Sequence, residues 1–362
     1  MSVRPGLSLA VLALLALGAS AADAPPSPLA VSFPEEDEAA ILRKIQERGP
    51  RDQALDKAVA FLLSQQQPDA SFGQKFPVAM TALAVMALMS TGRTPDDPTC
   101  GTAIRRGMNY VLSQMREDGY LGQADGSRMY GHGICTLMLA EAVGMTRDEV
   151  LERRLAEGCR RAVKVILAAQ ALSKGAAQGG WRYEPNSTDS DLSLTGWNTM
   201  ALRAAKNIGI DVPKAAIESA VKYIRGNAHP NGGFGYVGPD DAPALRGIGL
   251  LALAACGAYD APELAKTTAR MLQDPPRWQG PWFYYRTYYA AVGMYQMGDE
   301  AWDRFYPLID HALLGHQNAD GSWSEPPGNN ELSSYVPTPV YSTAMATLAL
   351  AVHHHLLPVY QR

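Results

Sequence analysis

Cysteine is scarce in this chain of 362 residues: it has four, and no Cys-x-x-Cys pair. Neither a paired-thiol redox motif nor a close-spaced thiolate metal site is therefore written in the sequence. Basic clustering is also missing. No block of Lys and Arg and no basic–aromatic stripe occurs, and the formal net charge is only −4. That argues against nucleic acid as a partner. Long apolar runs are absent too. None reaches the roughly 20 residues that a membrane-spanning helix needs.

The shorter apolar run at the start has another reading. Arg4 gives a positive first segment, Leu7 to Leu17 an apolar core, and Ala19-Ser20-Ala21 a small-x-small cleavage site. This is the pattern of a secretory signal over residues 1–21. It predicts a secreted or periplasmic protein with no membrane span after cleavage. Residues 22–34 are rich in Pro and Ala and are expected to be a disordered leader. Export permits disulfides. Cys135 and Cys256 fall in apolar helical runs and read as small buried hydrophobes. Cys100 and Cys159 fall on successive amphipathic helices, and a bridge between them is one pairing the sequence leaves open.

From there on the chain repeats one unit. An amphipathic helix ends near a Gln or Asn. A Gly-rich aromatic turn follows, and then a helix apolar almost all round. The turns are Asp69-Ala-Ser-Phe-Gly73, Asp118-Gly-Tyr-Leu-Gly122, Gly179-Gly-Trp-Arg-Tyr183, Gly232-Gly-Phe-Gly-Tyr236, Gly280-Pro-Trp-Phe-Tyr284 and Asp320-Gly-Ser-Trp323. Their spacing, roughly 40 to 60 residues, is that of a helical-pair repeat. Glycine ends the outer helix with a positive φ, and the aromatic ring plugs the gap between neighbouring pairs.

The second helices are expected at Pro77–Ser90, Met129–Gly144, Leu192–Asn207, Ala242–Cys256, Tyr284–Gln296 and Pro339–His353. A helix apolar on every face is buried. Buried helices ringed by amphipathic ones predict an all-α, closed α/α toroid of six helix-pair repeats. Closure is expected because no polar capping repeat ends the array. The toroid is assigned to residues 35–362, with one extra helix over Glu35–Arg48.

The stretch from Gly179 to Leu202 carries a family likeness. With the other Gly-rich aromatic turns, it resembles the terpenoid cyclase and protein prenyltransferase superfamily, including squalene–hopene cyclase-like repeat proteins. The resemblance spans about Arg51 to Pro358. It implies an α6/α6 toroid, a fold that carries several chemistries and sometimes none.

Each family chemistry can be tested on the residues. Class II cyclases protonate an alkene with an acid in an Asp-x-Asp-Asp-Thr motif. The matching register here is Asp191-Leu192-Ser193-Leu194-Thr195. Ser193 and Leu194 hold the two acid positions, and a hydroxyl cannot protonate an alkene. A shifted register leaves Asp189 or Asp191 as the acid. Prenyltransferases hold zinc with an Asp-x-Cys pair, which is absent, so the resemblance implies no metal and no cofactor. The Gly-Cys-Gly-Glu-Gln run of thioester toroids is absent as well.

Aligning the apolar helices gives a column near their N-termini: Thr81, His132, Thr195, Arg246, Thr287 and Thr343. These ends should open at one mouth, where helix dipoles favour an anion. His132 is a candidate catalytic group there, against the alternative of a satisfied core histidine. Arg246 is a candidate ligand-binding group.

Tyr284, Tyr285, Tyr288 and Tyr289, with Arg286 among them and with Trp197 and Tyr341, could wall an apolar cavity or simply pack as core. Asp240-Asp241 and Glu325…Glu331 offer carboxylate pairs for glycoside cleavage, although Asp beside Gly or Pro usually serves a turn. His353-His354-His355 are consecutive and do not share a helix face, which disfavours a metal. Asn186-Ser-Thr is a glycosylation sequon.

The expected function is a non-catalytic binding or scaffold toroid with a partner site at the mouth. An isoprenoid, peptide or glycan ligand fits that reading. The alternatives are an isoprenoid enzyme with relocated acids and a carbohydrate-active enzyme.

Overall fold

A computed structural model of the chain describes residues 49–327, 339–354 and 356–358, apart from the side chain of Asp299. The expected signal, leader and helix 35–48 lie outside the described residues, as do Glu331 and His355. The described residues belong to one compact unit, Arg48–Arg362.

Among them are twelve α-helices in six pairs. The outer members are α1 (Pro50–Ser64), α3 (Gly101–Ser113), α5 (Glu149–Gln170), α7 (Lys214–Gly226), α9 (Pro262–Gln273) and α11 (Asp299–Leu313). The inner members are α2 (Pro77–Ser90), α4 (Arg128–Ala142), α6 (Leu192–Asn207), α8 (Arg246–Ala255), α10 (Phe283–Gln296) and α12 (Pro339–Ala351). Each inner helix packs on the next, and α12 packs on α2. The inner ring is therefore closed, as its all-round apolar character demands. In α2 every residue from Val78 to Ser90 is buried. No described helix is long and apolar enough to cross a membrane.

Several boundaries differ from expectation by one to four residues, two of them for visible local reasons. Pro243–Leu245 forms a 3-10 turn, so α8 begins at Arg246 rather than at Ala242. After Ala351 the chain tightens into a 3-10 turn over Val352–His354. The Cys100–Cys159 bridge that the sequence left open is not formed: all four cysteines are free, and both of these are buried. Cys159 Sγ instead points at the Thr136 carbonyl, 4.0 Å away.

The repeat has a recurring hydrogen-bond frame. A glutamine at the end of an outer helix donates from Nε2 to two carbonyls, one in its own turn and one in the next outer helix. Gln66 reaches Ala70 O and Ala103 O, at 3.2 and 2.9 Å. Gln170 reaches Gly179 O and Ala216 O, both at 2.9 Å. Gln317 reaches Gly321 O at 3.0 Å and Ala54 O at 2.8 Å, joining the last turn to the first outer helix.

The turn glycine makes the same approach. Gly179 has φ +96°, and a Cβ there would overlap Ser219 O of α7. The ring beyond it is a buried plug. Phe72, Trp181, Phe234 and Trp323 are at most 2% exposed. Trp181 Nε1 donates to Ile166 O at 2.8 Å, and Trp323 Nε1 to Leu313 O at 2.9 Å, so each indole is bonded within the wall it fills.

Candidate functional site

Four of the six residues in the inner-helix column serve these plugs, while Thr287 Oγ1 donates to Phe283 O at 2.6 Å. Thr81 Oγ1 accepts the Phe72 N–H at 2.9 Å. Thr195 Oγ1 accepts the Trp181 N–H, and Thr343 Oγ1 the Trp323 N–H, each at 3.2 Å. In the second pair the plug is Leu121, and His132 Nδ1 accepts its N–H at 3.2 Å. The other ring nitrogen of His132 faces Ala162 O at 3.1 Å, which makes Nε2 the protonated one. The ring is fully buried, and burial pushes its pKa down to about 4. His132 thus stands as a neutral wall residue in the place of a threonine, not at the mouth where the sequence reading set it.

Helix N-termini at the mouth are bonded within the protein. Asp125 Oδ2 accepts from Val78 N and Ala79 N at the start of α2, at 2.9 and 3.2 Å. Tyr183 O accepts from Met129 N of α4, and Tyr236 O from Leu192 N of α6, both at 2.9 Å. In these three pairs the following turn therefore caps the inner helix, and at α2, α4 and α6 the dipole-driven anion site expected there is filled by carbonyls and a carboxylate.

Asp191 begins α6 at this mouth and is fully buried. Its Oδ1 accepts from Ser193 Oγ at 2.5 Å and from Leu194 N at 3.0 Å. Its Oδ2 accepts from Arg182 Nη1 at 3.0 Å and from the Tyr236 hydroxyl at 3.1 Å. Burial raises the Asp191 pKa above the ordinary carboxylate value, against the lowering pull of those donors. Leu194, in the second acid position of the motif, is fully buried in the core. Ser193, in the first, accepts the Tyr130 hydroxyl at 2.5 Å and passes its own hydrogen to Asp191. Asp189 is exposed and sits on the same guanidinium, 3.3 Å from Arg182 Nε.

Around this network lies a polar, ring-lined surface. Arg182 lies 5.1 Å from the Tyr183 ring centre and 5.3 Å from that of Tyr236. The two tyrosine hydroxyls are 2.6 Å apart. Tyr130 lies beside Tyr183 at 6.0 Å, and Tyr236 remains 38% exposed. Arg128 and Glu184 pair at the rim at 3.0 Å. Arg182, Tyr183, Tyr236 and Tyr130 were not singled out in the sequence. A signal was available: Tyr183 and Tyr236 each stand two places beyond a plug, Trp181 and Phe234.

The other expected site residues lie elsewhere. Trp197 and Tyr288 are stacked 5.8 Å apart, with Tyr289 edge-on to Trp197 at 5.3 Å, and all three are buried. These rings pack as core between inner helices, and Tyr341 is buried as well. Tyr284 is buried against Trp278, and its hydroxyl bonds Ser324 O.

Arg246 donates to both oxygens of Asp241 at 2.7 Å and to Asp274 at 2.8 Å. Arg270 also takes Asp241. Burial raises the Asp241 pKa, but bonds from Arg246 and Arg270 outweigh it and hold the carboxyl below its usual value. Asp241 is an ion-pair partner and not half of an open carboxylate pair. His353 stacks on Tyr306 at 4.9 Å and His354 faces Asp52 at 3.4 Å, so these rings diverge. Among the described residues no cluster of His, Cys, Asp or Glu is arranged to hold a metal.

No protein-family model matches the chain, and no curated protein matches it. Solved structures do. The type II terpene cyclase MstE from Scytonema, in its apo form, superposes with a TM-score of 0.53 at 16% identity, over 85% of this chain and 99% of that one. A variant of that cyclase in complex with geranylgeranyl dihydroxybenzoate gives 0.54 at 17%, over 85% and 98%. An inactive variant of the α-1,6-mannanase GH76A of Salegentibacter sp. HEL1_6, in complex with α-1,6-mannotetrose, gives 0.61 at 10%, over 83% and 99%. At these identities the likeness carries the fold and nothing finer: the chain has the closed α/α-toroid fold of terpenoid-cyclase-like proteins.

Proposed function

We propose that this chain is an exported, non-catalytic binding toroid whose ligand sits at the mouth on Arg182, Tyr183, Tyr236 and Tyr130. One observation carries the reading. The single carboxyl left from the acid motif is buried beneath four donors, while Ser193 and Leu194 hold the two acid positions. A carboxylate so occupied orders the mouth and does not face a substrate.

The surface above it favours a ligand with alternating apolar and polar faces. Half-buried rings offer stacking, and Arg182, Asp189 and Glu184 offer hydrogen bonds. A glycan fits that description better than a long isoprenoid, because Trp197, Tyr288 and Tyr289 fill the space between the inner helices. The mannanase neighbour's complex with a mannotetrose is in line with this choice. Export, inferred from residues 1–21, sets the protein among glycans and peptides rather than intracellular isoprenoid precursors.

A second reading has one observation in its favour. Burial raises the Asp191 pKa, the direction a general acid requires. It would make the chain an isoprenoid cyclase-like enzyme with a relocated acid.

The discriminating experiment is native mass spectrometry of the purified mature protein with solvent extraction, followed by a glycan array. A glycan bound by the parent and lost in Tyr236→Ala supports the binding reading. A co-purifying isoprenoid that is converted by the parent and untouched by Asp191→Asn overturns it.

A further inference from the structure

The turn after α9 carries a second feature. Arg277, Trp278, Gln279, Gly280, Arg286 and His316 line a cavity of about 500 Å³. That size lies within the range of small-molecule sites.

One wall is flat and rigid. The Trp278 and His316 rings are parallel within 6°, with centres 4.0 Å apart. Phe283 and Tyr284 abut Trp278 edge-on at 5.0 and 6.2 Å and hold it there.

The opposite edge is cationic. Arg286 makes its bonds through Nη2, to Asp274 O at 2.7 Å and Pro275 O at 3.3 Å, with Asp274 Oδ2 at 3.0 Å. Its Nη1 is 3.8 Å from where a Cβ on Gly280 would sit. The missing side chain leaves that edge of the guanidinium open to the cavity. Arg277 is exposed and has no side-chain partner among the described residues.

Guanidinium groups outnumber carboxylates in the adjoining ion-pair cluster. Arg246, Arg270 and Arg286 share two carboxylates, Asp241 and Asp274. Arg277 adds a fourth guanidinium. Burial lowers the Arg286 pKa, Asp274 raises it, and the neighbouring charges of Arg246 and Arg277 lower it further.

We infer that this cavity binds an oxyanion carried on a ring, a carboxylate or sulfate on a sugar or aromatic ring. Arg277 and the open edge of Arg286 take the oxyanion, as planar guanidinium groups do, and the stacked Trp278–His316 pair takes the ring. The site does not depend on the mouth. It shares no residue with Arg182, Tyr183, Tyr236 or Tyr130, so each reading can fail alone.

The test is calorimetric titration of the full mature chain with sodium galacturonate, sodium sulfate and glucose at constant ionic strength. Galacturonate is expected to bind saturably, with glucose inert. Arg277→Glu should weaken binding about tenfold or more, from loss of one charge-assisted contact and a reversed charge. That variant alters an exposed side chain, and circular dichroism checks its fold. Trp278→Ala should weaken galacturonate and spare sulfate.

Three results overturn the proposal. One is no saturable binding of galacturonate up to about 10 mM, the weak end of a specific site. Another is equal binding in parent and Arg277→Glu, which leaves Arg277 with no part in holding the anion. The third is binding of sulfate without galacturonate, which leaves the flat wall with no role.

Discussion

Arg51 and Asp310 stand 259 residues apart and meet, with Arg51 Nε donating to Asp310 Oδ1 at 2.9 Å and Nη2 to Oδ2. The pair joins α1 to α11, the first outer helix to the last. The guanidinium also lies 3.4 Å over the Tyr306 ring, whose far side carries His353. A toroid must close its seam, and this clasp does so on the outer ring, as Gln317 does at the turn.

Arg51→Ala should therefore destabilise the protein by about 2 kcal/mol, more than a solvent-exposed pair would. The side chains are only 14% and 27% exposed. Chemical denaturation measures the loss. No change would mean that the inner ring closes the molecule unaided.

The turn glycines predict a larger effect. At Gly179 the positive φ and the contact with Ser219 O act together. Gly179→Ala is expected to cost about 3 kcal/mol or more, because the strain of φ +96° adds to a displaced backbone. Gly209 provides the control. It has φ +81° with nothing near its would-be Cβ, so Gly209→Ala should cost only the backbone strain, about 1 kcal/mol. Equal losses in the two variants would show that close approach to α7 is not what selects glycine at 179.

Much of this frame was legible in the chain. All-round apolar helices must be inside, and Gly-Gly-Trp and Asp-Gly-Ser-Trp must be turns with plugs. α2 and α6 fall at the residues that the pattern marks. The site was less legible because a column of aligned positions fixes height along a helix and not direction. Thr81, Thr195 and Thr343 sit at the height of the mouth but turn back to the plugs. His132 follows them.

Arg246 was visible as a charge at that height. Its three carboxylate bonds depend on Asp241 and Asp274, which local spacing does not bring together. The seam pair Arg51–Asp310 left no local signal at all.

His132 makes stability depend on pH. Its pKa is pushed from 6.5 to about 4 in the folded chain by burial. Between those values the unfolded chain binds the proton and the folded chain does not, so stability is full above pH 6.5 and falls as the pH drops toward 4. The whole span is worth about 3 kcal/mol. Melting temperature should decline over that window in the parent and decline less in His132→Asn. Should the two slopes coincide, the acid sensitivity arises elsewhere.

Ser193→Asp tests whether the mouth can be returned to the acid motif it resembles. The new carboxyl would replace a hydroxyl whose oxygen is 2.5 Å from Asp191 Oδ1. Two carboxylates that close cannot both ionise easily, so the pair must hold a proton, with one pKa raised. A raised folded pKa stabilises at low pH and costs stability as the pH rises through it. The variant should therefore be about 2 kcal/mol less stable than the parent at neutral pH, and the difference should narrow toward pH 4. Denaturation at several pH values reads this directly. Turnover of added squalene should stay at zero even so, because an acid needs an alkene beside it, and Trp197, Tyr288 and Tyr289 occupy the space between the inner helices. Cyclised product from this single change would show that the rings yield to a substrate and that Ser193 alone separates this toroid from catalysis.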